Sequence, residues 1–244
     1  MRGATRLPVL GLVAAMACSF EPSGGSGSSA PGGPDASGMI GGDPGDPDAA
    51  TGDPGRADGA ASAAQVVTPV GAATTVGDLG GNGGEGFNAD CGAGHVITGL
   101  DAEDNDFGLC RLRAVCSRVV LRDGAIEVVD AAVTQMFGTE GSYYDIDPVD
   151  CPTGSVLIGF AGSESNGGLV HHIRLRCASI EQDGGNVRLG SSAEVPENLG
   201  SPSNDGSGTG ACPAGQLAAG IAGRAGSILD RFQLRCYQVS LAPF

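Results

Sequence analysis

Hydrophobic and polar positions alternate with a period of two in three short segments of this chain, each ending in cysteine. The segment IRLRC at 173–177 places its apolar residues on one face and its arginines on the other. The segment FQLRC at 232–236 repeats this pattern, and RLRAVC at 111–116 is a weaker version of it. Such alternation predicts β-strands with one buried face. No window combines helical periodicity with capping residues, so the sequence predicts an all-β fold.

The three alternating segments belong to an internal repeat of about 60 residues. Each unit opens with a cysteine and a glycine-containing turn, continues into a β-rich run, and closes on the alternating strand. The units lie around residues 91–116, 151–177 and 212–236. The opening cysteines are 60 and 61 residues apart, and the closing cysteines are 61 and 59 residues apart. This regularity predicts three equivalent β units in one domain that spans residues 65–244.

The third unit lacks the hairpin strand that follows the closing cysteine in the first two units. After Cys116 and Cys177, apolar runs flank Asp-Gly or Gly-Gly pairs, which are typical of β-hairpins. The sequence stops at Phe244, before a comparable final strand. The segment QVVTPVGAATTVG at 65–77 precedes unit one in the way that residues 126–138 precede unit two. We therefore expect the N-terminal segment to complete the third sheet and to cover its open edge.

Six of the eight cysteines fit one pairing rule, in which the opening cysteine of a unit bonds to its own closing cysteine. The expected disulfides are Cys91–Cys116, Cys151–Cys177 and Cys212–Cys236. Each closes a loop of about 25 residues, which the chain-entropy model values at about 3 kcal/mol. Cys110 lies outside these pairs and is expected to remain a half-buried thiol. A Cys18–Cys110 bridge is the alternative if Cys18 is not lipidated.

The N-terminal part of the chain has the composition of a leader and a linker. Residues 1–17 combine Arg2 and Arg6 with an apolar run that is too short to span a bilayer, which is typical of a signal peptide. Cys18 follows at once and resembles the lipidated cysteine of bacterial lipoproteins. That resemblance implies a lipid anchor at the cell envelope, whereas ordinary signal cleavage would give a secreted protein. Gly, Ser, Pro and Asp dominate residues 18–64, which predicts a disordered linker.

The charge of the chain restricts its partners. The formal net charge is −15, which argues against nucleic acid and against an anionic membrane surface as the main partner. We expect membrane contact only through the N-terminal lipid. No CxxC or Cys/His cluster has the spacing of a zinc site, and no cofactor is expected. The acidic loop at 101–106, with Asp101, Glu103, Asp104 and Asp106, is a candidate calcium site or simply a solvated loop.

The unit pattern CPxGxxxxG…LRC resembles that of vitelline membrane outer layer protein one, a family with three sheets arranged as a β-prism. The stretch LGGNGGEGFN at 79–88 resembles the glycine-rich loop of jacalin-like lectins, which share the prism. The resemblance covers residues 65–244. It implies a three-fold β-prism of three short antiparallel sheets, with one disulfide in each repeat.

The lectin resemblance also implies a carbohydrate site. Jacalin-like lectins bind sugar through the glycine-rich loop and a late GxxxD loop. By position, the first loop is matched by Gly83 and Gly84, and the second by Gly226, Ser227 and Asp230. Asp230 would accept hydrogen bonds from sugar hydroxyls, and a nearby backbone N–H would donate one. The late loop has no aromatic residue here, and the alternative role of the Asp230 carboxylate is to accept hydrogen bonds from turn amides.

Two classes of function fit these observations better than a third. The first is a non-catalytic, exported binding module whose ligand is a glycan or a cell-envelope polysaccharide. The alternative is a structural envelope or matrix protein without a small ligand. An enzyme is not favoured, because no Ser-His or metal site stands out, although loop carboxylates leave glycosidase chemistry open. Tyr143 and Tyr144 are a further candidate binding platform. The pattern does not predict an oligomeric state.

Overall fold

A computed structural model of the chain describes residues 63–105, 107–139, 146–183 and 186–244. The regular elements of these residues are all β-strands, as predicted. In chain order they are β1 (Gln65–Gly80), β2 (Glu85–Asp90), β3 (Val96–Asn105), β4 (Gly108–Arg122), β5 (Ala125–Val133), β6 (Phe137–Gly138), β7 (Asp147–Asp150), β8 (Ser155–Glu164), β9 (Val170–Asp183), β10 (Asn186–Gly200), β11 (Gly206–Ala211), β12 (Gln216–Ala225) and β13 (Leu229–Pro243).

Several sequence predictions concern residues outside these ranges. They are the signal peptide, Cys18, the linker to residue 62, Asp106 of the acidic loop, and the platform formed by Tyr143 and Tyr144. Within the described ranges, no helix has the length and hydropathy needed to cross a membrane.

The strands pair into one nine-stranded and one four-stranded antiparallel sheet. The nine-stranded sheet divides at the short β1–β4 ladder, which gives three sheets, each centred on one repeat unit. Sheet I has the order β7-β3-β4, with both β5 and β6 paired to β4. Sheet II has the order β11-β8-β9-β10, and sheet III has the order β2-β12-β13-β1. Sheets I and III are joined by a short ladder in which Gln65 pairs with Leu121 and Val66 pairs with Val120. The predicted set of three sheets is confirmed.

The N-terminal strand closes the ring, as predicted. β1 pairs with β13 from Gln65 opposite Pro243 to Gly80 opposite Arg231. β2 then pairs with β12 on the other side of the sheet. The end of the segment was predicted wrongly at residue 77, because β1 contains irregularities after Val70 and Val76 that add residues to it.

We call β1, β10 and, in sheet I, β6 with the preceding β5 the completing strands, because each completes the sheet of one unit. Each completing strand ends in a glycine with positive φ, and these three glycines are structurally equivalent. They are Gly80 (99°), Gly138 (105°) and Gly200 (73°). Each lies against the backbone carbonyl of the residue six positions before a closing cysteine, and a Cβ would overlap that oxygen. Glycine is therefore needed at this place in every unit.

The three sheets enclose one common hydrophobic core. Its large, fully buried side chains come from every sheet, and they include Leu100 and Leu112 of sheet I, Leu157 and Ile173 of sheet II, and Leu79 and Phe232 of sheet III. A second buried cluster again has members from all three sheets, including Val119, Val156 and Val67. Because each sheet gives one face to a shared interior, the architecture is a three-fold β-prism.

Each sheet has a β-bulge at an equivalent place, and the bulged residue is hydrogen-bonded to the next unit. Its carbonyl accepts the N–H of an opening cysteine. The pairs are Cys151 to Thr98 (2.7 Å), Cys212 to Ile158 (2.8 Å) and Cys91 to Ala219 (2.8 Å). A glycine follows each bulge, and a Cβ there would lie within 3 Å of a carbonyl oxygen on the neighbouring strand; these glycines are Gly99, Gly159 and Gly220.

The three disulfides are the predicted pairs, Cys91–Cys116, Cys151–Cys177 and Cys212–Cys236. Disulfides persist in oxidising compartments, so they agree with an exported protein. The prediction of a half-buried thiol at Cys110 was wrong, because this side chain is completely buried in β4.

Candidate functional site

The two loops that were predicted to bind sugar meet at one end of sheet III. Gly83 and Gly84 lie between β1 and β2, and Gly226 lies between β12 and β13. Asp230 is the second residue of β13, and Ser227 is exposed in the turn that precedes it. A Cβ built on Gly226 would be 3.6 Å from the Cα of Gly84. The structure therefore brings all five predicted residues into one region.

The Asp230 carboxylate packs directly against the glycine loop. A Cβ on Gly83 would overlap Oδ1 of Asp230, and a Cβ on Gly84 would be 2.5 Å from Oδ2. Gly84 also has a φ of 58°, a conformation that favours glycine. Both glycines are exposed and Asp230 is half-buried. A larger residue at either of these two positions would displace the carboxylate, so the glycines leave this acceptor in place beside solvent.

Two arginines that pair across β12 and β13 hold the glycine loop through its carbonyl groups. Arg224 donates from Nε to the Gly83 carbonyl and from Nη2 to the Gly84 carbonyl, both at 2.7 Å. Arg231 donates from Nε to the Gly81 carbonyl at 2.9 Å and also contacts the Asn82 side chain. The sequence did not identify these arginines as site residues, since alternation gives the face of a side chain but not its partner.

The base of the loop is fixed by a second set of hydrogen bonds. The Gly81 N–H donates to the Asp230 carbonyl at 2.6 Å and to the Gly168 carbonyl at 2.7 Å. Gly168 belongs to the loop between β8 and β9, so sheet II and sheet III meet at this point. The loop is thus anchored at its start and along its length, while the carboxylate is contributed from the strand beneath.

The electrostatic environment of Asp230 favours proton uptake relative to an exposed aspartate. Burial raises the pKa of its carboxyl above the usual range, and a hydrogen bond from the Gly226 backbone and the charge of Arg224 offset part of that rise. A carboxylate that is only partly solvated is a strong hydrogen-bond acceptor. The group is therefore suited to receive hydrogen bonds from neutral donors such as hydroxyls.

The carboxylate occurs in one repeat only. The positions equivalent to Asp230, six before each closing cysteine, are occupied by Cys110 in unit one and His171 in unit two. The carbonyl oxygens of these three residues face equivalent glycines, so the backbone is structurally equivalent at all three positions. The departure from three-fold symmetry therefore lies in the side chain.

The acidic segment that was considered for calcium has another role. Asp101, Glu103 and Asp104 lie in β3 rather than in a loop, which corrects the prediction. Asp101 pairs with Arg113 at 2.8 Å, and the buried Glu103 pairs with Arg111 on the adjacent strand. Within the described ranges, no group of three or more His, Cys, Asp or Glu side chains is arranged to hold a metal ion.

A serine, a histidine and an asparagine form a hydrogen-bonded chain in sheet II. Ser163 Oγ lies 3.3 Å from His172 Nδ1, and His172 Nε2 lies 3.3 Å from Asn198 Oδ1. Ser163 and His172 are buried, and Ser163 Oγ also accepts the Ser203 N–H at 2.8 Å. Burial lowers the pKa of His172, and the hydrogen bond to Asn198 offsets part of that decrease. This chain fixes Ser203 to the sheet.

Comparison with known proteins gives likenesses in structure. No protein-family model and no curated protein matches the sequence. Among solved structures, single-chain recombinant jacalin aligns with a TM-score of 0.46 and 14% identity, covering 69% of this chain and 96% of that one. Frutalin from Artocarpus incisa gives 0.45 and 13%, covering 68% and 97%. A mannose-binding jacalin-related lectin from Ananas comosus gives 0.44 and 17%, covering 70% and 99%. The β-prism assignment rests on the strand pairing described above.

Proposed function

We propose that residues 65–244 are a non-catalytic carbohydrate-binding module, with a glycan or a cell-envelope polysaccharide as ligand. The observation that carries the proposal is the Asp230 carboxylate beside the exposed, side-chain-free Gly83–Gly84 strip. Sugars carry adjacent hydroxyls, and the two oxygens of a carboxylate accept hydrogen bonds from two of them. A strip without side chains lets a sugar ring approach the backbone closely.

The rigidity of the site supports the same proposal. Arg224 and Arg231 fix the loop carbonyls, and Gly81 fixes its base, so little loop ordering has to accompany binding. Preorganisation of this kind lowers the entropic cost of binding.

A glycan array probed with residues 63–244, followed by titration calorimetry on the sugars that bind, tests the proposal. Wild-type protein should bind a defined set of glycans, and Asp230→Asn should reduce the affinity at least tenfold, because the amide presents one acceptor oxygen instead of two. Asp205→Asn, on an exposed aspartate, is the matched control. If the wild-type protein binds no glycan on the array, the result would instead support a structural envelope or matrix protein.

We also infer that the domain is carried on an exported chain anchored through Cys18. The inference is supported by the N-terminal sequence and by three disulfides, which are typical of oxidising compartments. Mass spectrometry of the mature N-terminus should find lipid on Cys18, and Cys18→Ser should release the protein from the membrane fraction. An unmodified Cys18 would contradict the anchor and leave a secreted protein.

A further inference from the structure

A groove opens between sheets I and III beside the Asp230 region. Its volume is about 730 Å³, and it is lined by residues 84–88 on one side and 135–139 on the other. Gly84 and Gly226 border both the groove and the Asp230 carboxylate, so the two features are continuous. The volume falls within the range of about 300–1,000 Å³ that is usual for small-molecule sites.

The groove lies where the three-fold symmetry of the prism fails. Pairing makes three residues of the completing strands equivalent: Leu79 opposite Phe232, Leu199 opposite Ile173, and Phe137 opposite Leu112. Leu79 and Leu199 are completely buried, whereas Phe137 is only half-buried. The completing strand of sheet I is also interrupted, since residues 134–136 separate β5 from β6. A half-buried aromatic ring, packed against the edge of the core, therefore stands where the other units bury a leucine.

Phe137 and Phe87 form a stacked pair in this groove. Their ring centroids are 4.4 Å apart and their planes differ by 10°. Phe87 lies opposite Gly223 in the strand ladder, and a Cβ on Gly223 would be 2.7 Å from the Phe87 ring, so glycine makes room for it. Thr139 Oγ1 donates to the Gly226 carbonyl at 3.0 Å and ties the two walls together near the predicted site.

The groove also has polar side chains beside its apolar surface. Those of Glu85, Asn88 and Gln135 are exposed along its two walls. Amides and carboxylates together both donate and accept hydrogen bonds. An aromatic surface flanked by such groups matches a sugar ring, whose C–H groups pack on the electron-rich face of an aromatic ring while its hydroxyls are hydrogen-bonded.

We propose that this groove binds the second and later residues of an oligosaccharide whose terminal residue is held at Asp230. The ligand of the module is then a carbohydrate chain rather than a single sugar. This inference rests on the proposed function, because the continuity of the groove with Asp230 decides which ligand enters it. Phe87 and Phe137 supply the stacking surface, and Asn88 and Gln135 supply hydrogen bonds to hydroxyls.

Calorimetry against mannose, glucose and galactose and their linear di- to tetrasaccharides tests the inference. For the sugar type that binds, the wild-type affinity should rise about tenfold or more from monosaccharide to trisaccharide. Phe137→Leu and Gln135→Ala should lose most of this gain and keep the monosaccharide affinity. Leucine occupies both equivalent positions in the prism, so Phe137→Leu is compatible with the fold. Gln182→Ala, on an exposed glutamine at the far end of β9, is the matched control.

The outcomes separate the two proposals. Equal wild-type affinity for the monosaccharide and its longer chains would overturn the groove inference and leave the Asp230 site standing. A chain-length gain that survives in both groove variants would also overturn it. Failure to bind any of these sugars or any glycan on the array would overturn both proposals together.

Discussion

Cys91 and Cys116 are bonded to each other although they belong to different sheets. Cys91 directly follows β2, an edge strand of sheet III, and Cys116 lies in β4 of sheet I. The same relationship holds for the other two bridges, which join sheet I to sheet II and sheet II to sheet III. Each bond lies within one repeat of the sequence, yet in space the three bonds link the sheets into a closed ring.

Removal of any one bridge should destabilise the domain by a similar amount. The bridged residues are 25, 26 and 24 positions apart, so the chain-entropy model gives each about 3 kcal/mol. Three double variants, each replacing one pair of cysteines by alanine, should therefore show similar losses in the free energy of unfolding, measured by urea denaturation. A variant that loses less than about 1 kcal/mol would contradict an equal role for the three bridges.

Asp230 should weaken the fold at neutral pH. Its pKa is raised in the folded state, so folding opposes ionisation, and stability falls as pH rises through the titration of this group. Asp230→Asn should thus increase the melting temperature at pH 7, and the increase should shrink as pH is lowered through the raised pKa. Thermal unfolding from pH 7 to pH 3.5 measures this, with Glu197→Gln on an exposed side chain as the charge control. A variant less stable than wild type at pH 7 would contradict it.

The fold was more predictable than the site. Cysteine spacing and the alternating segments, such as that at 173–177, were enough to predict the three sheets and the three disulfides. The repeat was enough to predict that β1 completes the third sheet. The link between sheets made by Cys91–Cys116 was not predictable, because spacing in a repeat does not reveal which sheet an edge strand joins. Loop motifs were enough to predict that Asp230 and the glycine loop lie together. The Arg224 contacts and the Phe87–Phe137 groove were not predictable, because they depend on residues about 50 to 140 positions apart along the chain.

Gly83 should be needed for binding but not for stability. Its φ is outside the left-handed region, so alanine fits the backbone, but a Cβ would push the flexible Asp230 carboxylate away from the loop. Gly83→Ala should lower the affinity for the glycan found on the array about tenfold, with a change in unfolding free energy within about 0.5 kcal/mol. Gly167→Ala is the control, because a Cβ there meets nothing closer than Ser165 Oγ at 3.7 Å. Unchanged affinity in Gly83→Ala would contradict the placement of the ligand.

His172 should make the domain sensitive to mild acid. Burial lowers the pKa of this imidazole below its ordinary value of about 6.5. The unfolded chain therefore takes up a proton before the folded one as pH falls through 6.5, so stability decreases with falling pH. His172→Gln should show a smaller decrease in unfolding free energy between pH 7 and pH 5 than wild type. His95→Gln is the control for the number of histidines. An equal decrease in unfolding free energy between pH 7 and pH 5 in wild type and His172→Gln would contradict the assignment of this sensitivity to His172.

The N-terminal strand should be an integral part of the prism. Val67 of β1 is completely buried in the second hydrophobic cluster, whereas Val70 of the same strand is 38% exposed. Val67→Ala should cost about 1.5–3 kcal/mol of unfolding free energy, and Val70→Ala should cost much less, because burial sets the loss. Leu79→Ala, which removes a fully buried side chain at the other end of β1, should cost about 2–5 kcal/mol.

Truncation extends the same test from side chains to the whole strand. Removal of residues 19–60 is expected to leave the melting temperature nearly unchanged, since that segment has the composition of a linker. Removal of all residues up to 78 would strip most of β1 from β13 and expose the backbone of that strand as a sheet edge. Because a typical domain is stable by only about 5–15 kcal/mol, this loss should unfold or aggregate the protein. If the two truncated proteins melt at the same temperature, β1 does not close the ring in solution.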